Sequence, residues 1–302
     1  MKHFFALLGI LLLLSACSQQ TTEEDTPTSC PPDCAGGSTG VVTTINAPSD
    51  GGSVYVGDRL VASATLDDLG ESSVEDGVVC ITGLDGETFS GLGGCNCENF
   101  YITLDDPHDS NFEQTMVNFD SALVPSDASG NQHLTFYTRY RYTAYGPMTL
   151  CLTGDPYQET ECAVEGDKLT SSSSGPVQIA SVEEILSTEG SNAINVRLKI
   201  TANAPTQATG QLVDLDYTSE PSCVLPTDIT ITGKVYVILF GEAQDCGTIT
   251  FEQGEDTATT TCKLDSLTTD RFIGGQKEYD GWVRIDYGYQ EIQSVAFTIV
   301  SE

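Results

Sequence analysis

Positively charged side chains are scarce in this sequence, and their scarcity excludes one class of partner. The 302 residues contain 12 Lys and Arg against 44 Asp and Glu, which gives a formal net charge of −32. Nucleic-acid affinity comes largely from Lys and Arg side chains that neutralise phosphates, so a chain this acidic is repelled by a phosphate backbone. We therefore expect no nucleic-acid partner.

The sequence also lacks a recognisable metal-binding loop. Its densest acidic clusters are Asp67-Asp68, Glu75-Asp76 and residues 105–109. Carboxylates are hard oxygen ligands that suit Ca²⁺, but none of these clusters follows the calcium-loop pattern D-x-[DN]-x-[DN]-G. We interpret the acidic residues as a solubilising surface and expect no metal and no cofactor. Binding of Ca²⁺ is the alternative.

Groups that could perform catalysis are few. The sequence has 3 histidines and contains neither a G-x-S-x-G nucleophile motif nor a Gly-rich phosphate loop. We interpret His133, beside a Tyr-rich strand, as a polar strand residue rather than a general base. Two carboxylates can suffice for a glycosidase, so an accessory hydrolase is an alternative. The expectation is a protein that is not an enzyme and has no catalytic residues.

No apolar run is long enough to cross a membrane as a helix. The run from Phe4 to Leu14 spans only about eleven residues, whereas a membrane-spanning helix needs roughly 20. Lys2 precedes the run and small residues follow it, which is the pattern of a secretory signal peptide. We expect residues 1–16 to be removed when the chain is exported.

The end of this run carries a family resemblance. The residues Leu14-Ser15-Ala16-Cys17 resemble the lipobox of prokaryotic lipoproteins. The resemblance implies cleavage before Cys17, a diacylglyceryl group on its thiol, and an extracytoplasmic protein anchored by lipid at the cell surface. Residues 17–40 have almost no large apolar side chains, which predicts a flexible linker. An ordinary secreted protein cut nearby is the alternative.

The remaining cysteines are expected to form disulfides. Of 11 cysteines, setting Cys17 aside leaves ten (11 − 1), an even number, and a chain that leaves the reducing cytoplasm normally oxidises its thiols. A zinc site is disfavoured because paired C-x-x-C spacings are missing. Sequence proximity favours three candidate disulfides, which are Cys30 with Cys34, Cys151 with Cys162, and Cys246 with Cys262.

Helical periodicity is absent beyond the apolar run, and short β-type segments take its place. Runs such as VVTTIN, GVVCITG, NFYITL and GKVYVILFG are separated by Gly, Asp and Ser turns, which is typical of β-sandwiches. The run SSSSG predicts a flexible boundary between two domains. We therefore predict an all-β fold with sandwiches at residues 41–170 and 177–302, joined by a linker at 171–176.

A second resemblance concerns the type of sandwich. The segment INAPSDGGSVYVGDRLVASATL, residues 45–66, resembles immunoglobulin-like modules of prokaryotic surface proteins. The resemblance implies two tandem immunoglobulin-like β-sandwiches. The chain departs from antibody domains because it lacks their Cys…Trp…Cys arrangement. Its only tryptophan is Trp282, near the end of the second predicted module.

A repeat relates the two halves. Residues 140–152, YRYTAYGPMTLCL, align without gaps to residues 287–299, YGYQEIQSVAFTI, at an offset of 147 (287 − 140). The two halves are therefore predicted to be copies of one module, each containing a hairpin here. The final strand, SVAFTIVSE, most simply closes its own module, and donation to a neighbour is the alternative.

Tyrosines and arginines concentrate in the first of these hairpins. Tyr137, Arg139 and Tyr145 are the candidate binding residues, since exposed tyrosines suit stacking on sugars or burial at a protein interface. Tyr140 and Tyr142 share one face of the strand, and we favour an interior position for them because the second half repeats both. The arginines then lie on the outer face and pair with local acids.

These features predict a lipid-anchored, non-catalytic surface protein with an adhesive, scaffold or assembly role. Its expected contacts are the membrane, through the N-terminal lipid, and a surface protein or glycan of unknown identity. A carbohydrate-binding module and a subunit of a self-assembling surface filament are the alternatives.

Overall fold

The all-β prediction is confirmed. The computed structural model describes residues 39–48, 51–104, 113–152, 162–188, 194–204, 210–224, 231–252, 255–264 and 277–301. Cys17, Cys30, Cys34 and the acidic segment 105–109 lie outside these ranges. Within them no helix is both long enough and apolar enough to cross a membrane.

The described residues form sheets that are antiparallel except for the parallel pairing of β2 with β16, and one short 3₁₀ turn, Leu215–Tyr217. In chain order the strands are β1 (Val41–Asn46), β2 (Gly52–Tyr55), β3 (Arg59–Leu60), β4 (Ser63–Asp68), β5 (Val74–Thr82), β6 (Asn96–Ile102), β7 (Glu113–Asn118), β8 (Ala122–Leu123), β9 (Gly130–Leu152), β10 (Gln178–Thr188), β11 (Ile194–Asn203), β12 (Gly210–Val213), β13 (Ile231–Leu239), β14 (Glu242–Phe251), β15 (Thr257–Leu264) and β16 (Lys277–Val300).

Two very long strands, β9 and β16, organise the fold. They have 23 and 24 residues and pair antiparallel from Leu152 opposite Lys277 to Gly130 opposite Ile299. At about 3.4 Å per residue this ladder is roughly 75 Å long. It forms the centre of a large sheet of order β14-β13-β16-β9-β5-β6, with β2 and β12 paired to β16 as well. The halves therefore share one sheet.

The prediction of a hairpin around Gly146-Pro147 is wrong, because β9 runs straight through both residues. Pro147 lies opposite Trp282, and its carbonyl accepts a hydrogen bond from the Thr170 amide, on the side away from β16. The nitrogen of Pro147 points to the same side as its carbonyl, so its missing N–H removes no bond from the ladder.

Two three-stranded sheets, β1-β4-β7 and β10-β11-β15, accompany the large sheet. Their apolar side chains belong to one continuous hydrophobic cluster with those of β5, β9, β13 and β16. Leu66 and Ile81 represent the first half of this core, and Leu198 and Val237 the second, each exposed by 1% or less. Each half thus buries one small sheet against its part of the large sheet.

The predicted repeat coincides with a two-fold relation. Tyr140 pairs with Tyr289, and Tyr142 pairs with Tyr287. The repeat offset of 147 relates Tyr140 to Tyr287 and Tyr142 to Tyr289. Exchanging each tyrosine for its repeat therefore converts one pair into the other, as a two-fold axis through the ladder does. The sheets β1-β4-β7 and β10-β11-β15 correspond under it, as do β9-β5-β6 and β16-β13-β14.

Because β9 and β16 continue straight across this axis, each half receives its last strand from the other. The end of β16 pairs with the beginning of β9 and with β2, both in the first half. The end of β9 pairs with the beginning of β16, beside β13. The simpler expectation, that the final strand closes its own module, is therefore wrong.

The segment 171–176 joins β9 to β10, but it is packed rather than freely exposed. Ser173 and Ser174 are buried. The Ser173 amide donates to the Tyr145 carbonyl, and its Oγ accepts from the Tyr145 amide at 2.9 Å. A Cβ on Gly175 would lie 2.9 Å from the ring of Tyr142. Serine hydroxyls accept hydrogen bonds from backbone amides here, which holds in place a run whose composition predicts flexibility.

Candidate functional site

Four tyrosines meet in the interior where the halves join. Tyr140, Tyr142 and Tyr287 are exposed by 1% or less, and Tyr289 is half-buried. Ring centroids lie 5.9 Å apart for Tyr140 and Tyr142, and 6.1 Å apart for Tyr142 and Tyr287, both in edge-to-face contact. The interior position that we favoured for Tyr140 and Tyr142 is thus what the structure has. Edge-to-face aromatic pairs add to the stability gained from burial alone.

The hydroxyls of this cluster fasten surrounding segments. Tyr142 donates to Asp68 Oδ1 at 3.2 Å and accepts from the Ser72 amide at 3.2 Å. Tyr287 accepts from the Val177 amide at 3.1 Å. The cluster therefore connects the end of β4 and the beginning of β10 to the central ladder.

Burial changes the acidity of these groups. It raises the pKa of Asp68 to about 6, against which hydrogen bonds from Gly70 and Tyr142 act only in part. Burial also raises the pKa of Tyr142, and the nearby Asp68 raises it further. The Tyr289 pKa rises to about 12 for the same reason. The tyrosines stay protonated at neutral pH, and the hydroxyls of Tyr142 and Tyr287 act as structural hydrogen-bonding groups.

The candidate binding residues do not form an exposed surface. Arg139 is 1% exposed and Tyr145 is 8% exposed, while Tyr137 is half-buried. The guanidinium of Arg139 donates to the Ser222 carbonyl and, at 3.4 Å, to the Tyr217 carbonyl. The segment 210–224 covers this face of the sheet, so Arg139 lies on the outer face as expected but beneath a covering segment, and the guanidinium bonds to backbone carbonyls rather than to a carboxylate.

Arg141 does pair with an acid, as expected for the arginines of β9. Its Nη2 lies 2.9 Å from Asp286 Oδ2, and Arg284 Nε lies 2.8 Å from Asp286 Oδ1. Thr143 Oγ1 donates to the same carboxylate at 3.0 Å. Asp286 is 1% exposed, and a buried carboxylate with several donors is fully satisfied. The cluster holds β9 to β16.

The structure contains four disulfides in the described ranges. Two of them, Cys151–Cys162 and Cys246–Cys262, are pairs that sequence proximity favoured. The other two are Cys80–Cys97, across β5 and β6, and Cys95–Cys223, which ties β6 to the segment that covers Arg139. Sequence spacing gave no signal for Cys95 with Cys223, which are 128 residues apart. It also could not assign Cys80, because Cys95 and Cys97 are almost equally near to it in the sequence.

The acidic clusters named from the sequence do not converge on a cation site. Asp68 is buried against Tyr142, Asp67 accepts from Gln114, and Glu75 and Asp76 are exposed on β5. Within the described ranges, one group of potential ligand atoms is close enough together for a metal ion. It consists of three cysteines that are already disulfide-bonded, Cys80, Cys97 and Cys223.

An open groove lies between two sheet edges in the first half. Strand β6 ends the large sheet and β7 ends the sheet β1-β4-β7, so among the described residues each pairs with another strand on one side only. The groove encloses about 430 Å³ and is lined by residues 98–103 and 113–118. Its rims carry Tyr101, 73% exposed, and Met116, 58% exposed. Sequence analysis missed this feature, because sheet edges become visible only once the strand order is known.

Comparison with known proteins gives no family. No family model matches the chain, and no curated protein matches it. Among solved structures, the crystal structure of dimeric latent PorU from Porphyromonas gingivalis aligns with 88% of this chain at 8% identity and a TM-score of 0.15. The alignment covers 34% of the PorU chain. At that TM-score the likeness supports no conclusion about fold or function.

Proposed function

We propose that this protein is a non-catalytic scaffold outside the cytoplasm, tethered to a membrane by a lipid on Cys17. Two immunoglobulin-like sandwiches with exchanged last strands form its body. The observation that carries the proposal is the uninterrupted pairing of β9 with β16 through both halves. A flexible binder would join its modules by a linker, whereas a scaffold benefits from modules that share backbone hydrogen bonds.

Several contacts support a rigid body. The core runs through both halves without a break, and the connection at 171–176 is buried between them. Asp286 links two arginines across the central ladder. Bending between the halves would break ladder bonds and open the tyrosine cluster, and buried polar groups left without partners are costly.

The buried positions of the reactive groups favour this role over catalysis. A catalytic group has to reach its substrate, but Asp68, whose pKa is raised by burial to about 6, is 2% exposed. Of the β9 tyrosines that could have formed a platform for sugars, Tyr137 is half-buried, and the other three, Tyr140, Tyr142 and Tyr145, are buried. A protein partner therefore has better support than a glycan.

Spin labels on the two halves test the rigidity. We expect Leu123→Cys and Phe240→Cys, both at exposed positions, to give one narrow distance distribution by pulsed electron resonance. The matched control pair, Leu123→Cys with Met116→Cys, lies within the first half and should give the same width. A distribution for the first pair that is several times broader than the control would reject the scaffold.

Metabolic labelling with a fatty-acid analogue tests the tether. The wild-type chain, expressed with its N-terminal segment in a bacterial host, is expected to incorporate the label, and Cys17→Ser is expected to abolish incorporation completely. Cys30→Ser changes a nearby cysteine and should leave labelling intact. A mature wild-type protein without label would contradict the lipid anchor and leave the rigid body untouched.

A further inference from the structure

The groove between β6 and β7 has an apolar floor and acidic walls. Phe100 and Ile102 of β6 and Val117 of β7 are buried and belong to the core. Side chains in a strand alternate between faces with a period of two. Glu98 therefore shares the face of Phe100, and Glu113 shares the face of Val117. One carboxylate on each wall is directed to the space between the sheets.

The backbone of β6 offers hydrogen-bonding groups to this groove. Cys80 and Cys97 face each other with Cα atoms 4.0 Å apart, which is the short spacing of a non-hydrogen-bonded pair in an antiparallel ladder. The bonding pattern alternates, so Glu98 is bonded to β5 while the N–H and C=O of Asn99 point away from it. An added strand could use both groups, as in recognition by β-strand addition.

We propose that this groove binds an extended, Lys- or Arg-bearing segment of another protein as an additional strand on β6. The proposal rests on the scaffold function and names the partner class. On the inward face of the segment, apolar side chains would pack at the edge of the core beside Phe100 and Ile102, and cations on that same face would lie near Glu98 and Glu113. Opposite charges across an interface raise the association rate and disfavour wrong partners.

The charge of the chain argues against other occupants. A second copy carries the same net charge of −32 and the same two groove glutamates, so pairing two β6 edges would bring like charges together. The chain's own N-terminal segment also lacks the required cations, because residues 18–58 contain no Lys or Arg. A basic segment of a different protein is the occupant that complements the groove.

Fluorescence anisotropy with two labelled peptides tests the proposal on the folded protein. The probes are acetyl-Lys-Thr-Val-Thr-Val-Thr-Lys-amide, which places both Val and both Lys on one face of an extended strand, and the same peptide with Glu in place of both Lys. We expect the Lys peptide to bind and the Glu peptide to bind at least tenfold more weakly. Absence of Lys-peptide binding at a concentration of about 1 mM, where an interaction of roughly 4 kcal/mol is half-saturated, would overturn the proposal.

Variants of the groove identify the site of binding. Asn99→Pro removes the free edge N–H and is expected to weaken binding at least tenfold, while Asn99→Ala, which keeps that N–H, stays within twofold. Glu98→Gln with Glu113→Gln keeps every backbone group and is expected to weaken Lys-peptide binding about five-fold, since exposed ion pairs contribute modestly. Binding that is unchanged in both variants would overturn the assignment to this groove.

Sedimentation of the peptide-free protein completes the test. A monomer supports the proposal, whereas a dimer that Asn99→Pro abolishes would assign the groove to a second copy and overturn it. The outcome is separable from that of the scaffold proposal. A narrow spin-label distribution without peptide binding rejects the groove alone, and a broad distribution with peptide binding rejects the scaffold alone.

Discussion

Replacing Cys95 and Cys223 together by serine is expected to lower the free energy of unfolding by about 5 kcal/mol. The two residues are 128 positions apart in the sequence, and a cross-link that closes a long loop restricts the unfolded chain more than one that closes a short loop. The same change loosens the segment 210–224, which covers the buried guanidinium of Arg139.

The matched control is the double substitution of Cys246 and Cys262, which are 16 residues apart and for which loop closure predicts a loss of about 3 kcal/mol. Urea unfolding of both variants measures the two values. Equal losses would contradict the loop-length explanation. Cys223→Ser alone is unsuitable, since the freed Cys95 thiol would lie 3.8 Å from Cys97 Sγ and could exchange with its disulfide.

Stability is expected to decline by about 2 kcal/mol between pH 4 and pH 7 because of Asp68 alone. The folded protein raises the pKa of this carboxyl from 3.8 to about 6 by burying it. The folded state then binds the proton more tightly than the unfolded state does. The stabilisation is complete below pH 3.8 and is lost as the pH rises through 6.

Asp68→Asn isolates this effect, because the amide keeps an oxygen that can accept from Gly70 and Tyr142 but does not titrate. Urea unfolding at pH 4, 5, 6 and 7 should show the wild type losing about 2 kcal/mol more than the variant over this range. Asp67→Asn removes the same charge from the neighbouring, half-exposed position and should leave the wild-type slope unchanged. Parallel profiles for wild type and Asp68→Asn would contradict the prediction.

Much of the local structure followed from the sequence. Period-two alternation and turn residues predicted the strands, and short separation favoured the pairing of Cys151 with Cys162. The repeated tyrosines were the most informative signal. A residue pair that recurs in both halves without its neighbouring arginines is explained better by a shared interior role than by a binding site, and Tyr140 and Tyr142 are fully buried.

The features that sequence analysis missed depend on contacts between distant parts of the chain. Gly146-Pro147 has the composition of a turn, but the bonds of β9 to β16 keep it extended. The alternation of side chains along β9 places Arg139 on the outer face, as expected, but the segment 210–224 from the other half covers it. Neither strand order nor the edge groove can be inferred from periodicity, which reports one strand at a time.

The exchange of strands also sets an order of events during synthesis. Residues 41–152 appear first, but among the described residues the edge of β9 in their sheet pairs only with residues 289–299 of β16. A growing chain therefore exposes a long unpaired edge until almost all of it has been made. Such distant pairing is slow and leaves intermediates prone to association. The first half cannot complete its sheet until the end of β16 has been made, so the two halves finish folding together.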